Sequence, residues 1–388
     1  MRIGINASFL RKPGTGIGQV TLNVIRELAR MAKQTSINDI RHEFFLYCEE
    51  VPEIDFLLPE NFHIRVFLPF WKRDDLIRKM LWERRVVNQA LQDDCEAFLS
   101  VYQSTSAFPH SIQHSMIVHD IIPRFFPLYR QTLRQKFFWH RVEQGIRKAD
   151  HSIAVSESTK NDMMRELRLE AKKITVALID TDPRFLMPIS SEKSAEVLKK
   201  YDLQAGYIYH GGGLEIRKNT ETLLRAYKIL LNDAELKGRI PVLVISGKIF
   251  DAGNILATDV RKIISELHIE KSVRLLGFVP ASDIPVLYKE ALFFVYPSLY
   301  EGFGLPVLEA LRMRLPVLCS ANSSLPEVGG HAALYTNPRD TDAMVHQMKR
   351  LITDTSLRET MIAQSDAQAL LFSWGKATNR IMSVLLRK

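Results

Sequence analysis

The chain has little cysteine, no long apolar run and no short repeat or low-complexity tract. Cys48, Cys95 and Cys319 are the three cysteines in 388 residues, widely separated and without CxxC or Cys/His spacing. That pattern indicates neither a disulfide framework nor a zinc site. No stretch approaches the roughly 20 apolar residues that a spanning helix needs. The opening MRIGINASFL starts as a strand and lacks the basic-then-apolar layout of a secretory signal, so the expected location is cytoplasmic. His110, His114 and His119 are not arranged as HExxH, which argues against a zinc peptidase.

What is present fits a folded two-domain protein. Hydrophobic residues make up 46% and charged residues 25%, a balance that excludes disorder and a membrane-spanning bundle. The length exceeds one typical core. Short apolar runs alternate with amphipathic segments, and this βαβα rhythm predicts parallel sheets covered by helices. Strands are expected at Arg2 to Ala7, Phe44 to Cys48, His63 to Phe67, Ala97 to Val101, Ser115 to Val118, His151 to Val155 and Ile174 to Leu178. After a Pro- and Ser-bearing connector, a second series is expected at Tyr207 to His210, Val242 to Ser246, Val273 to Leu276, Leu292 to Tyr296, Val317 to Cys319 and Ala332 to Tyr335. The expected domains are 1–182 and 205–370, joined by a connector at 183–204, with 371–388 as a terminal helix. The net charge of +8 admits nucleic acid, an anionic membrane surface or a phosphate-bearing small molecule as partner.

Four stretches carry candidate chemistry. RKPGTGIGQV places Gly14, Gly16 and Gly18 between the first strand and helix; its spacing departs from a dinucleotide fingerprint, and it reads either as a tight turn or as amides open to an anion. DTD, Asp180 to Asp182, has the form of a cation-holding DxD, but Pro183 after it favours a solvated turn. YHGGGLEIRKN follows a strand with glycines, including Gly212, and then Arg217 and Lys218, which suits a phosphate. PSLYEGFGLPVLEAL places Gly302, Phe303, Gly304 and Leu305 at a helix start, with Glu301 in the loop and Glu309 expected in the first turn. Each acid there can equally be a plain partner of the helix dipole. His119 ends an apolar run, at the strand end where open α/β sheets take ligands.

Glu301, Gly302, Phe303, Gly304 and Glu309 resemble the E-x7-E motif of retaining glycosyltransferases of family 4. RKN, GFVPASDIPVLYKEA, LPVLCS, SLPEVGG and FSWGKA follow that family's order, and the glycine loop, HDIIP and AVSESTKND match more loosely. The resemblance implies an α/β GT-B fold: two Rossmann-like doubly wound domains facing a cleft, the second holding a nucleotide-sugar donor and the first mostly the acceptor, with the last helix crossing back. It implies that Glu309 takes the ribose hydroxyls and Glu301 the sugar hydroxyls. Lys218 with Arg217 would neutralise the diphosphate, and His119 would contact the donor sugar. Gly16, Gly212 and the Gly302 to Leu305 segment would complete an anion cradle. No metal and no cofactor beyond the donor are implied. The chain departs from the pattern at Gly212 and Gly213, where many members carry an arginine, and at His331, where an acid is common.

GGGLEIRKN and SSLPEVGG look most like bacterial mannosyltransferases that use GDP-mannose in polysaccharide or O-antigen assembly. A UDP-hexose donor, a sugar-nucleotide epimerase on the same architecture and a nicotinamide oxidoreductase remain as alternatives. The acceptor is expected to be a glycan, lipid-linked in one reading. Two basic, aromatic stretches, FWKRDDLIRKMLWERR from Phe70 and PRFFPLYRQTLRQKFFWHR from Pro123, suit peripheral contact with the inner face of an anionic plasma membrane, or ordinary helices packed on a sheet. No aromatic-rich RNA signature accompanies the basic charge, so nucleic acid is not expected as a partner.

Overall fold

The computed structural model describes residues 1–34, 42–68, 76–250 and 253–387. It divides into two compact units, Met1–Asp180 with the C-terminal segment from Phe372, and Thr181–Leu371. The first holds a parallel sheet of β1 (Arg2–Asn6), β2 (Glu43–Cys48), β3 (Phe62–Val66), β4 (Ala97–Ser100), β5 (Gln113–Val118), β6 (His151–Ala154) and β7 (Ile174–Val176), ordered β3-β2-β1-β4-β5-β6-β7. The second holds β8 (Tyr207–His210), β9 (Leu243–Ser246), β10 (Val273–Gly277), β11 (Ala291–Tyr296), β12 (Val317–Ser320) and β13 (Ala333–Thr336), ordered β10-β9-β8-β11-β12-β13.

Counted within its own unit, each sheet contains the doubly wound order 3-2-1-4-5-6. Strand order reverses between β1 and β4 in one unit and between β8 and β11 in the other. Helices after those strands turn to opposite faces there, and a crevice opens at the strands' carboxyl ends. Burial agrees with helices on both faces, because every residue of β4, β6, β8, β9 and β12 is buried. The core of the second unit gathers Ile208, Leu223, Tyr227, Leu243, Phe293, Val295 and Met344.

Two expectations change. The segment 183–204 is folded rather than a bare connector: Pro183–Leu186 forms a 3-10 turn and Ser191–Lys200 a helix, both within the second unit. DTD is buried rather than solvated, and Asp182 caps Arg184 N at 2.9 Å and pairs with its guanidinium at 2.8 Å. The terminal helix Trp374–Leu385 belongs to the first unit, where it contacts the helix Gly16–Gln34.

Of the basic aromatic stretches, Phe70 and Trp71 lie outside the described residues. Trp82 is core, donating from its indole to Phe67 O at 3.0 Å. Phe125 and Trp139 pack partly buried against Phe138, Val142 and Ile146. Phe137 is 59% exposed.

The glycine loop after β1 divides its labour unequally. A Cβ on Gly18 would lie 2.0 Å from the backbone oxygen of Lys12, whereas one on Gly14 would meet nothing within 4 Å. A backbone clash cannot be relieved by a rotamer change. Gly18→Ala is therefore expected to destabilise the fold by about 2–3 kcal/mol and Gly14→Ala by less than about 0.5 kcal/mol, read by thermal unfolding of the two variants side by side.

Candidate active site

The crevice between β8 and β11 contains a buried carboxylate with four donors. Glu301 Oε1 accepts from Lys218 Nζ at 2.8 Å, from the Tyr296 hydroxyl at 2.9 Å and from Ser298 Oγ at 2.6 Å. Its Oε2 lies 2.9 Å from Arg217 Nη1. Lys218 also donates to the Tyr296 hydroxyl. Glu301 and Lys218 are both buried. Burial by itself would raise the Glu301 pKa, but Arg217 and Lys218 overcome it and hold the carboxyl at about 2. Burial, reinforced by Arg217, lowers Lys218.

Local sequence places each member. RKN forms a 3-10 turn after β8, closed by Asn219 at φ 59°, a left-handed conformation that asparagine tolerates. Asn219 Nδ2 then donates to Pro297 O at 3.0 Å and Pro338 O at 2.7 Å, binding the cationic turn to the end of β11. Behind it, buried His210 bridges Val295 O and Thr220 Oγ1, both at 2.9 Å, and burial lowers its pKa to about 4. The glutamate loop is held by serines: Glu301 N donates to Ser323 Oγ at 3.0 Å, and Ser324 Oγ reaches Glu301 O at 3.0 Å and Phe303 O at 2.6 Å.

Two glycines permit the loops to meet. Gly304 has φ 110° at the start of the helix Leu305–Arg312, and Gly212 has φ 88°. A Cβ on Gly212 would lie 2.8 Å from Pro306 and 3.2 Å from the Tyr296 ring, so the glycine turn after β8 packs directly on the helix start after β11. The cations and the positive end of the helix dipole thus converge on one place.

Glu309 occupies the second turn of that helix, not the first as expected, so a dipole role is weak there. Its Oε2 accepts from the Tyr288 hydroxyl at 2.9 Å. Burial raises its pKa to about 7; the Tyr288 hydrogen bond opposes the rise and Asp182 adds to it.

His119 and Gly16 lie in the other unit. Gly16 is the first residue of the helix Gly16–Gln34. His119 follows β5, buried, with Nε2 2.8 Å from Val101 O, which makes Nε2 the protonated nitrogen and leaves Nδ1 as an acceptor. Burial lowers its pKa to about 4. AVSESTKND acts here structurally: Ser156 caps the helix Glu157–Leu167, and Thr159 Oγ1 reaches His119 O at 3.3 Å.

The structure brings together Glu301, Lys218, Arg217, Gly212 and the Gly302 to Leu305 segment, with Glu309 on the same helix. Sequence reasoning did not single out Tyr296, Ser298, Tyr288, Ser323, Ser324 or His210. Tyr296 and Ser298 stand at the strand end beside Pro297, and a polar group at that position was the available signal. Among the described residues no cluster of three or more His, Cys, Asp or Glu could hold a metal.

A doubly wound unit with paired cations and a helix start at its switch point suits a phosphate-bearing ligand, and the whole chain has the GT-B glycosyltransferase fold. The crystal structure of WaaG, a glycosyltransferase involved in lipopolysaccharide biosynthesis, matches it with a TM-score of 0.75 over 100% of both chains at 12% identity. Residues 14–177 match Glycosyltransferase Family 4, and residues 193–368 match glycosyl transferases group 1. O-antigen chain mannosyltransferase B of Escherichia coli is 30% identical over 391 residues, covering 99% of each chain. O-antigen chain mannosyltransferase RfbU of Salmonella typhimurium is 23% identical over 237 residues, 61% of this chain and 60% of that protein. The chain belongs to the family 4, group 1 glycosyltransferases.

Glu309 gives a stability test. A carboxyl whose folded pKa lies near 7 binds its proton more tightly folded than unfolded. Its contribution is complete below the unfolded value near 4.5 and is lost as pH rises toward 7. Glu309→Gln should remove a fall on the order of 2–3 kcal/mol between pH 5 and 7, flattening the profile of melting temperature against pH. An unchanged profile would place the ordinary carboxyl value at this site.

Proposed function

We propose that the protein transfers mannose from GDP-mannose to a glycan acceptor, lipid-linked and presented at the inner membrane face, in O-antigen or related polysaccharide synthesis. The observation that carries the donor reading is the convergence of Arg217, Lys218 and the Leu305–Arg312 helix start at the β8/β11 switch point. Mannose and the polysaccharide context rest on the 30% identity with O-antigen chain mannosyltransferase B along nearly the full chain. A UDP-hexose donor is the second reading.

As the bond between the sugar's anomeric carbon and the phosphate oxygen breaks, negative charge grows on the diphosphate. Arg217 and Lys218 stabilise it in a site where burial strengthens the interaction. These two charges do the work that a divalent cation does elsewhere, so the reaction proceeds without a metal. The acceptor hydroxyl attacks the face from which the diphosphate departs, its proton passes to the phosphate oxygen, and configuration is retained. His119, neutral, accepts a donor-sugar hydroxyl at Nδ1. Glu309 takes the ribose hydroxyls as a carboxylate.

Three donors crowd Glu301 Oε1 and Arg217 holds Oε2, so the carboxylate has little left to offer a sugar in this arrangement. The incoming diphosphate competes for Arg217 and Lys218, and the carboxylate freed by that exchange turns to the sugar hydroxyls. Glu301→Gln, which removes the competing charge, should bind free GDP severalfold more tightly by calorimetry while turnover falls by about 10²- to 10³-fold. Weaker GDP binding in this variant would mean that Glu301 only positions the cations.

The activity itself is tested by incubating the protein with GDP-mannose, UDP-glucose and lipid-linked glycan. GDP release matched by mannose on the glycan supports the proposal, and matched release from UDP-glucose alone supports the second reading. With Lys218→Ala, transfer should fall at least about 10³-fold. Because the carboxylate form of Glu309 is needed, donor KM should decrease as pH rises from 6 to 8, and Glu309→Gln should abolish that dependence.

A further inference from the structure

The proposed donor site uses the switch point of the second unit. The first unit has a switch point of its own, between β1 and β4, and a lysine stands in it. Lys79 belongs to the first turn of the helix Leu76–Gln92, within the basic aromatic stretch that starts at Phe70. Its Nζ lies over three rings, 4.2 Å from the centroid of Tyr102, 5.4 Å from that of Phe9 and 5.8 Å from that of Phe138. Phe9 follows β1 and Tyr102 follows β4, so the ammonium sits at the carboxyl ends of the two strands where their order reverses. Asn6, the last residue of β1, donates to the Tyr102 hydroxyl at 3.1 Å and ties the two strand ends together.

An ammonium has three N–H donors, and a ring face attracts the charge without accepting them as an oxygen would. Among the described residues, Lys79 Nζ makes no hydrogen bond and no ion pair. The two carboxylates that act on it through space are engaged elsewhere. Glu83 accepts from the Tyr102 hydroxyl at 3.0 Å on one oxygen, and from Thr105 N at 2.9 Å and Thr105 Oγ1 at 2.5 Å on the other. Glu49 pairs with Arg11 at 3.1 Å and with Arg78 at 3.2 Å. Burial lowers the Lys79 pKa; Glu83 and Glu49 oppose the fall, and Arg11 and Arg78 add to it. Lys79 nevertheless keeps some exposure to solvent, so a ligand can reach Nζ. A charge held among rings and without an oxygen partner is a conflict in the unliganded protein that an anionic ligand removes.

We propose that Lys79 is the anion-binding residue of the acceptor site, and that it takes the phosphate through which the acceptor glycan is joined to its lipid. The inference rests on the reading of the acceptor as a lipid-linked glycan and names the group on it that the protein grips. With the donor diphosphate assigned to Arg217 and Lys218, the crevice of the first unit is left for the second substrate. A glycosyl phosphate supplies what that crevice lacks, charged oxygens for the three N–H groups. The aromatic walls keep water from the pair, which strengthens it. A neutral sugar offers hydroxyls but leaves the charge uncompensated.

The experiment is calorimetry on the full-length protein, saturated with GDP so that the cations of the second unit are occupied. Three probes are compared: mannobiosyl phosphate esterified with a short alkyl chain, the neutral alkyl glycoside of mannobiose, and inorganic phosphate alone. The phosphate-linked glycan should bind roughly tenfold or more tightly than the neutral glycoside, with inorganic phosphate weakest. In Lys79→Met that preference should vanish while the neutral glycoside binds as before, and in Lys79→Arg, which keeps the charge, most of it should remain. Lys79→Met should also keep or raise the melting temperature, because it removes an ammonium that burial disfavours, and should keep the thermal shift with GDP. In the transfer assay it should raise the KM for the phosphate-linked acceptor roughly tenfold or more and leave the donor KM unchanged. Equal binding of the two glycans by the parent, a preference that survives in Lys79→Met, or inorganic phosphate bound as tightly as the glycan phosphate would each overturn the proposal. So would a fall of several degrees in the Lys79→Met melting temperature, which would make the ammonium structural. Binding that depends on Lys79 and on the phosphate, without transfer from any donor, would support this site and overturn the proposed activity instead.

Discussion

A buried carboxylate that holds two cations in place organises the second unit. Glu301 draws Lys218 from the turn after β8 and Arg217 from the same turn onto the loop after β11, at 2.8 and 2.9 Å. Without it, two like charges would stand side by side in a poorly solvated crevice and repel. Without them, a carboxylate buried to this degree would be protonated. The arrangement is stable only as a set, and removing a single partner from such a set typically costs about 3–5 kcal/mol.

The doubly wound sheet explains why the set forms where it does. In the second unit the following segments diverge to opposite faces between β8 and β11, leaving room at the carboxyl ends of the strands. The backbone then does the rest through asparagine and glycine: Asn219 closes the cationic turn, while Gly212 and Gly304 allow it to pack on the helix start. The first unit repeats the strand order and places His119 after β5, with its tautomer set by Val101 O.

Period and punctuation made much of this legible. The strands and the helix Thr220–Leu231 follow from apolar runs bounded by polar segments, because a parallel strand buried on both faces must be continuously apolar. RKN and the spacing from Glu301 to Glu309 pointed to the site, and the family resemblance supplied roles that spacing alone left open. The basic aromatic stretches were not legible in the same way. Trp82, Phe137 and Trp139 all lie beside cations in sequence, yet one is core, one is exposed and one lies between, since side-chain exposure depends on which face the sheet covers.

The sequence by itself determined the fold class, the two-unit plan and the residue types at the candidate site, because hydrophobic period and glycine placement act over neighbouring residues. Tertiary structure alone decided who meets whom. Lys218 and Ser323 reach Glu301 because β8 and β12 flank β11 in the sheet, and Tyr288 reaches Glu309 across 21 positions in the chain. Those contacts set the ionisation of the two glutamates in opposite directions, one carboxyl held down at about 2 by cations and the other raised to about 7 by burial. Identical side chains eight residues apart differ because the field around each is built by residues distant in sequence.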